Sequence, residues 1–250
     1  MSDEVLSERH GKTLVITMNR PAARNAINHA LADQLIEAMA RLDADDTLAV
    51  GVLTGAGGAF CAGVDLKAVA EHGRPSHVRR VMEDGSSKPL IAAVEGAAVA
   101  GGLELALACD LLVAGRGARF GIPEARVGLV AAGGALARLP VRMSYGMAME
   151  MALTGRLISA EEALEHRLVQ QVVETGGALA AACAMAESIA VNAPLSVRAS
   201  KQLIRRGIGL TEPEYWAMQA DHAPAVFASD DAKEGPRSFA ARRPPVWAGR

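Results

Sequence analysis

Short apolar runs alternate with amphipathic segments along the first two thirds of the chain. Five such runs predict strands, at residues 12–18, 48–54, 89–94, 111–114 and 168–173. Between the first two, apolar residues recur at helical spacing, and Asn28 is placed to cap a helix over residues 29–42. This alternation of strands and helices favours an α/β fold with mainly parallel strands.

The strand pattern ends near residue 174. Helical periodicity then fills four segments separated by Pro, Gly and Ser, at residues 178–190, 195–206, 214–227 and 230–241. We therefore predict an α/β core over residues 1–174 and a helical C-terminal region over residues 175–250. The helical region is expected to pack on the core or to reach a neighbouring subunit.

Composition narrows the class of protein. Half of the 250 residues are hydrophobic and 22% are charged, which is ordinary globular composition and argues against disorder. The net charge of −2, without a long basic block, does not favour nucleic acid as a partner. Cys61, Cys109 and Cys183 lack CxxC spacing and are predicted to be free thiols rather than zinc ligands. With no apolar signal core and no long uncharged apolar stretch, the sequence predicts a cytoplasmic protein without a membrane segment.

Two carboxylates lie where the surrounding sequence is apolar or turn-forming. Glu104 interrupts the apolar run 97–110, and Glu124 follows the turn-like Phe-Gly-Ile-Pro segment at 120–123. An ionised carboxylate is costly to bury without a partner, so such a group is either paired or kept for chemistry. We predict that Glu104 and Glu124 face one substrate as an acid and a base. The structural alternative for Glu124 is an ion pair with Arg126.

Glycine pairs follow two of the predicted strands. Residues 55–60 lack the third glycine of a dinucleotide fingerprint, and residues 96–102 lack the Lys-Ser/Thr pair of a P-loop, so nucleotide binding is not favoured. Gly101 and Gly102 begin an apolar helix, where free amides favour developing negative charge. Val64 could offer a second free amide, and two converging amides would form an oxyanion hole. The alternative is that the glycines serve tight packing only.

Several motifs together resemble the enoyl-CoA hydratase/isomerase (crotonase) family in order and spacing. They span nearly the whole chain: NRPAARNAIN (19–28), FCAGVDL (60–66), PLIAAVEG (89–96), GGLELALACD (101–110), FGIPE (120–124), LTGRLISAEEA (153–163) and DAKEGPRSF (231–239). The resemblance implies a spiral of repeated β-β-α units that binds acyl thioesters of coenzyme A. It also implies a homotrimer or a dimer of trimers, with residues 175–250 serving oligomerisation and completing the coenzyme A site.

The resemblance assigns roles to particular residues. The thioester carbonyl is held in the family by two backbone amides, which correspond to Val64 and Gly101. Family hydratases use two glutamates, which correspond to Glu104 and Glu124; one activates water and the other supplies the α-proton. No metal or separate cofactor is implied, because coenzyme A is part of the substrate.

Further contacts to the acyl-CoA are implied beside Val64 and Gly101. They fall on Arg24, Ala62, Asp65, Leu66, Lys67, Phe239 and Arg242, the last two toward the coenzyme A of a neighbouring subunit. The alternative for Arg24, Lys67 and Arg242 is an ordinary solvated charge.

One segment departs from the family's pattern. Residues 128–134 lack the proline that commonly precedes the Gly-Gly helix start in family hydratases and are one residue shorter. This loop borders the acyl end of the pocket, so it bears on substrate shape and on the position of the water. Residues 72–87 are short and charged, and they offer no clear hydrophobic wall from which to infer acyl length.

The preferred hypothesis is an enoyl-CoA hydratase that adds water syn across a trans-2-enoyl-CoA to give a 3-hydroxyacyl-CoA. An enoyl-CoA isomerase with one working carboxylate is an alternative on the same scaffold. So is a carnitinyl-CoA-type dehydratase, since the ending at 243–250 is similar to such members. A hypothesis of another class is a non-catalytic acyl-CoA-binding protein, suggested by the shortened loop.

Overall fold

Two β-sheets and eleven α-helices make up the part of the chain that the computed structural model describes, residues 3–73, 75 and 78–250. The strands are β1 (Val5–His10), β2 (Thr13–Met18), β3 (Val50–Gly55), β4 (Leu90–Val94), β5 (Ala97–Val99), β6 (Leu111–Gly115), β7 (Arg119–Gly121), β8 (Ile158–Ser159) and β9 (Gln171–Val173). The helices are α1 (His29–Ala44), α2 (Leu66–His72), α3 (Val78–Asp84), α4 (Gly101–Ala108), α5 (Ala135–Arg142), α6 (Tyr145–Thr154), α7 (Ala160–Glu165), α8 (Ala178–Ala190), α9 (Pro194–Gly207), α10 (Glu212–Phe227) and α11 (Asp230–Ala240).

The two sheets are built from a repeating β-β-α unit. The large sheet has the order β1-β2-β3-β4-β6-β9 and is parallel except for the β1–β2 hairpin. After β4 and again after β6, the chain enters the small sheet as β5 and β7 before it turns into a helix. Two isolated parallel bridges, Ile27–Val64 and Cys61–Ala98, continue the pairing of the small sheet into the two earlier turns of the spiral. The predicted spiral of β-β-α units is confirmed.

The large sheet separates two apolar clusters. Because side chains alternate along a strand, Leu14 and Ile16 of β2 face one cluster while Val15 faces the other. The larger cluster lies against α1 and α4, and the smaller one is covered by α8, whose buried face is made of alanines. These small side chains let α8 approach the sheet closely. The core contains few aromatics, and Phe60 and Phe120 are both fully buried.

Most predicted elements are present with small shifts of their ends. Asn28 caps α1, since its Oδ1 accepts a hydrogen bond from the Leu31 amide at 2.8 Å. The predicted strand 168–173 is wrong in its first half: β9 begins at Gln171, and the amides of Leu168 and Val169 donate to Ala163 O instead. After β9 the described chain forms helices only. The division into a core and a C-terminal region at residue 174 stays a prediction.

No single helix in residues 3–73, 75 and 78–250 is long and apolar enough to cross a membrane. The pair α8 and α9, which meet at an angle of 111°, passes the same criterion of length and composition when taken together.

Candidate active site

Glu104 lies in the first turn of α4 and is only 5% exposed. Its Oε1 accepts hydrogen bonds from the amides of Gly133, at 2.6 Å, and Ala135, at 3.3 Å. These donors belong to the loop before α5 and to its first residue, about thirty positions further along the chain. The buried carboxylate is therefore satisfied by main-chain donors that no local pattern around Glu104 could reveal.

The entry into α4 explains the glycines around Glu104. A Cβ at Gly102 would collide with the carbonyl oxygen of Cys61, so a glycine lets α4 lie directly against the preceding spiral turn. Ala100, the residue before the helix, has φ 51° and ψ −130°, a conformation that side-chain-bearing residues rarely adopt. Packing is thus one reason for the glycine pair, and it coexists with the free amide at Gly101.

The amides of Val64 and Gly101 lie close together on adjacent segments of the chain. An ideal Cβ on Gly101 would stand 3.5 Å from the Val64 nitrogen, and one on Gly63 would stand 3.4 Å from the Gly101 nitrogen. Neither amide has a hydrogen-bond acceptor among the residues that the structure describes. Two neighbouring free donors of this kind are the arrangement that binds an oxyanion.

Glu124 lies in the 3₁₀ helix Pro123–Val127 that follows β7. Its Oε2 is buried and has no hydrogen-bond partner within the described residues. The predicted alternative, an ion pair with Arg126, is absent from the described chain, because Arg126 Nε donates to the carbonyl oxygen of Thr154 at 3.0 Å. The Glu124 carboxyl is therefore free to meet a substrate.

Burial raises the pKa of both carboxyls. For Glu104, hydrogen bonds from Ala135 and Gly133 and the positive charge of Arg138 oppose that rise. For Glu124, only its own backbone amide opposes it, while the negative charge of Glu104 raises the pKa further. The two carboxyls therefore differ in environment: two amides and a positive charge act on Glu104, whereas a negative charge acts on Glu124.

A cavity of about 770 Å³ brings the four proposed catalytic residues together. Glu104, Glu124, Val64 and Gly101 all line it. Most of the remaining wall is apolar, and Pro75 and Met82 contribute to it from the stretch 72–87. That stretch does supply part of a hydrophobic wall, contrary to the expectation from its sequence; its residues 74, 76 and 77 lie outside the described part. The volume is that of an ordinary small-molecule site.

The predicted substrate contacts divide into two groups. Ala62 and Leu66 line the cavity together with Val64 and Gly101. Arg24, Asp65, Lys67, Phe239 and Arg242 do not line it.

Arg24 and Asp65, which do not line the cavity, both make contacts in the segments beside it. Arg24 is exposed, and its carbonyl accepts from the Ala62 amide at 3.0 Å, so its main chain adjoins a residue of the cavity wall. Asp65 caps α2 through the amides of Lys67 and Ala68 and pairs with Arg20 at 3.1 Å. Its carboxylate therefore has a structural use, and its contact with substrate stays a prediction, as do those of Arg24 and Lys67.

The C-terminal pair, Phe239 and Arg242, lies at the surface near the end of α11. Phe239 is 88% exposed, and Arg242 has a left-handed backbone with φ 50°. Neither side chain reaches the cavity of its own chain, so their predicted contact with a neighbouring subunit's coenzyme A stays a prediction.

Two glycines in the shortened loop were not singled out from the sequence. A Cβ on Gly133 would lie 2.5 Å from Glu104 Oε2, and one on Gly134 would lie 2.6 Å from Arg138 Nη1. Gly133 thus faces the carboxylate while Gly134 faces a guanidinium. The sequence showed that a helix starts at this Gly-Gly pair. It did not show the two oppositely charged neighbours, Glu104 of α4 and Arg138 at the end of the first turn of α5.

A second cavity, of about 390 Å³, adjoins the first. The two share Glu124, Leu129 and Val130 as walls. Much of the remaining lining comes from apolar residues of α5 and α6, including the exposed Leu136, Tyr145 and Leu153.

Comparison with known proteins places this geometry in a family. The sequence profile of the enoyl-CoA hydratase/isomerase family matches residues 8–250. The chain is 43% identical to enoyl-CoA hydratase EchA19 of Mycobacterium tuberculosis over 99% of this chain and 97% of that protein. It is 38% identical to the carnitinyl-CoA dehydratase of Salmonella typhi over the full length of both. A crystal structure of an enoyl-CoA hydratase from Mycobacterium tuberculosis H37Rv superposes with a TM-score of 0.95 at 50% identity, covering both chains completely.

The match runs over nearly the whole chain in sequence and over all of it in structure, and it includes the segments that carry both buried glutamates and both free amides. The chain therefore belongs to the enoyl-CoA hydratase/isomerase family of enzymes.

Proposed function

We propose that this chain is an enoyl-CoA hydratase, a hydro-lyase that adds water syn across the double bond of a trans-2-enoyl-CoA. The observation that carries the proposal is that Glu104 and Glu124 line one cavity together with the free amides of Val64 and Gly101. Family membership and a full-length relative named as an enoyl-CoA hydratase are consistent with an acyl-CoA thioester as the substrate.

The two amides supply the electrostatic part of the reaction. With the thioester oxygen between the Val64 and Gly101 N–H groups, the carbonyl is polarised and the β-carbon becomes electrophilic. Attack by water on that carbon creates an enolate whose negative charge develops on the same oxygen. A single donor of such a hole is typically worth about 3–4 kcal/mol of transition-state stabilisation.

The two carboxyls divide the proton transfers. Glu104 is the better candidate for the ionised base, since two amides and the charge of Arg138 stabilise its carboxylate. It takes a proton from the water that attacks the β-carbon. Glu124, whose pKa is raised by burial and by the negative charge of Glu104, acts as the acid that delivers a proton to the α-carbon of the enolate. Dehydration runs through the same steps in reverse.

The carnitinyl-CoA reaction is the second candidate, because a full-length relative carries that name. A trimethylammonium group is commonly held by aromatic faces or by anionic side chains. No aromatic residue lines the described part of the larger cavity, its acidic residues there, Glu104 and Glu124, are assigned to the proton transfers, and its basic residue there, Arg126, would repel a cationic substrate. These features favour an uncharged acyl group.

An isomerase needs one carboxyl to shuttle a proton, so the presence of two favours hydration. A non-catalytic acyl-CoA-binding protein was suggested by the shortened loop. That loop nevertheless supplies the Gly133 amide to Glu104, which supports a working site.

The remaining properties belong to the same proposal. We propose a homotrimer or dimer of trimers, because apolar side chains such as Val130, Tyr145 and Leu153 are more than 60% exposed around the smaller cavity. We propose that no metal or separate cofactor takes part, and that the enzyme acts in the cytoplasm without a nucleic-acid or membrane partner.

A substrate panel tests this function. The enzyme is offered crotonyl-CoA, longer trans-2-enoyl-CoAs, a 3-enoyl-CoA and carnitinyl-CoA, and the products are identified by mass and chromatography. Conversion of the 2-enoyl substrates to 3-hydroxyacyl-CoA supports the proposal. Double-bond migration without hydration would replace it with the isomerase, turnover of carnitinyl-CoA alone with the dehydratase, and tight binding without turnover with the non-catalytic protein.

A further inference from the structure

Arg138 is a half-buried cation close to Glu104 that lies outside the cavity. It does not line the larger cavity, so it has no contact with a substrate there. Its guanidinium instead reaches main-chain carbonyls on two different elements. Nη1 donates to Gly133 O at 3.3 Å, and Nη2 donates to Met82 O and, at 3.4 Å, to Glu83 O. A planar guanidinium fork is suited to holding several acceptors at once.

The two elements that Arg138 joins are those that surround Glu104. The Gly133 amide donates to Glu104 Oε1, while the carbonyl of the same residue accepts from Arg138. Met82, held by its own carbonyl, places its side chain between the two glycines of the site. An ideal Cβ would lie 2.5 Å from Met82 Sδ if built on Gly133, and 3.6 Å from Met82 Cε if built on Gly101.

We propose that Arg138 is a positioning residue, which fixes the Gly133 amide and α3 around Glu104 and holds a positive charge near that carboxyl. The inference rests on the hydratase function proposed above. It also gives the shortened loop a use: the loop brings Gly133 to Glu104 and Gly134 to Arg138.

The charged groups around Glu104 and Arg138 determine how the loss of Arg138 would change the pKa of Glu104. Glu104 is faced by Arg138 from α5 and by Glu124 from the 3₁₀ helix. Arg138 is itself faced by Arg205 of α9, by Glu83 of α3 and by Cys109, whose pKa is raised by burial to about 12 and which is therefore neutral. The Arg138 charge lowers the pKa of Glu104 against the effect of burial, so its removal raises that pKa.

The test compares pH profiles of kcat/KM for hydration of crotonyl-CoA. In Arg138→Met the acidic limb of the profile is expected to move to higher pH, because Glu104 must lose its proton before it can act as the base. We expect kcat to fall while KM changes little, because Arg138 does not line the cavity. Arg138→Gln is neutral but polar and gives the same comparison if Arg138→Met does not fold. Arg138→Lys restores the charge and should return the limb toward its wild-type position.

Arg142→Met is the matched control, since Arg142 lies on the same helix and also binds main-chain carbonyls, those of Leu107 and Cys109. The loss of Arg142 should lower the free energy of unfolding without moving the acidic limb of the pH profile. An unmoved limb in both neutral Arg138 variants, an equal shift in Arg142→Met, or a rise in KM with unchanged kcat would overturn the inference. A wild-type enzyme that hydrates no enoyl-CoA would instead refute the proposed function, so the two failures are distinct.

Discussion

Gly133 is the residue where the loop before α5 contacts Glu104, the proposed catalytic base. Its amide binds Glu104 Oε1, and a Cβ at this position would lie 2.5 Å from Oε2. Gly133→Ala should therefore push the carboxylate away from its position in the cavity. A displacement of about 1 Å in a reacting group costs roughly 100-fold in rate, so kcat should fall by about that factor.

Gly146→Ala is the matched control for the steady-state kinetics of Gly133→Ala. Gly146 is exposed on α6, and a Cβ there meets nothing within 4 Å. That substitution should leave kcat unchanged and raise helix stability slightly. Unaltered kcat in Gly133→Ala would mean that Glu104 does not depend on its contact with this loop.

Ala100 holds a strained backbone directly before the Gly101 amide. Its φ of 51° and ψ of −130° cost about 1–3 kcal/mol for a residue with a Cβ, and glycine removes most of that cost. Ala100→Gly should therefore raise the free energy of unfolding by about 1 kcal/mol, measured by urea denaturation.

Ala40→Gly provides the comparison, because Ala40 is exposed in the interior of α1. There the same change should lower the free energy of unfolding by about 1 kcal/mol. Equal losses in the two variants would show that Ala100 is not strained.

Among the secondary-structure elements, those with a long regular pattern were predictable from sequence. Helix α8 has the predicted bounds 178–190, because its alanines recur on one face. The three strands of the small sheet have two or three residues each, too few to establish an alternation. For helix α5 the sequence indicated only the Gly-Gly start and not the extent, because the helix contains Pro140, a residue that usually ends a helical pattern. Burial of Leu168 and Val169 explains their apolar character, although they precede the strand.

The C-terminal segment is attached to α11 by two carboxylates. Glu234 binds the Arg243 guanidinium at 2.5 and 2.9 Å and accepts from the Val246 amide at 2.9 Å, while Asp231 accepts from the amides of Ala248 and Gly249. The hydrogen bonds from Arg243 and Val246 lower the pKa of Glu234 from 4.5 to about 2.

This attachment should depend on pH with a defined sign. Because the pKa is lower in the attached state, the contact is fully present above pH 4.5 and is lost as the pH falls toward about 2. Glu234→Gln should loosen the segment at neutral pH, seen as faster hydrogen exchange of the Val246 amide. Glu165→Gln, a change at an exposed position of α7, should leave that exchange unaltered. Equal exchange in wild type and Glu234→Gln would contradict the attachment.

In the molecule as a whole, the site is assembled by the spiral. Val64 follows the bridge at Cys61, Gly101 follows β5, and Glu124 follows β7. The three residues therefore come from three successive turns of the spiral. Their place in one cavity could be predicted from sequence, because their motifs are local. The partners of Glu104 could not, since Gly133 and Arg138 reach it only through the packing of α3, α4 and α5.

Hydration of crotonyl-CoA by wild type, Glu104→Gln, Glu124→Gln and the double variant tests whether the two carboxyls act as one acid–base pair. Each single substitution should lower kcat by about 10²–10⁴-fold with little change in KM. The double variant should be no more than slightly worse than the poorer single variant, because paired groups act as a unit. Glu37→Gln, on an exposed face of α1, should retain full activity. Near-wild-type kcat in either single variant would contradict the two-carboxyl mechanism.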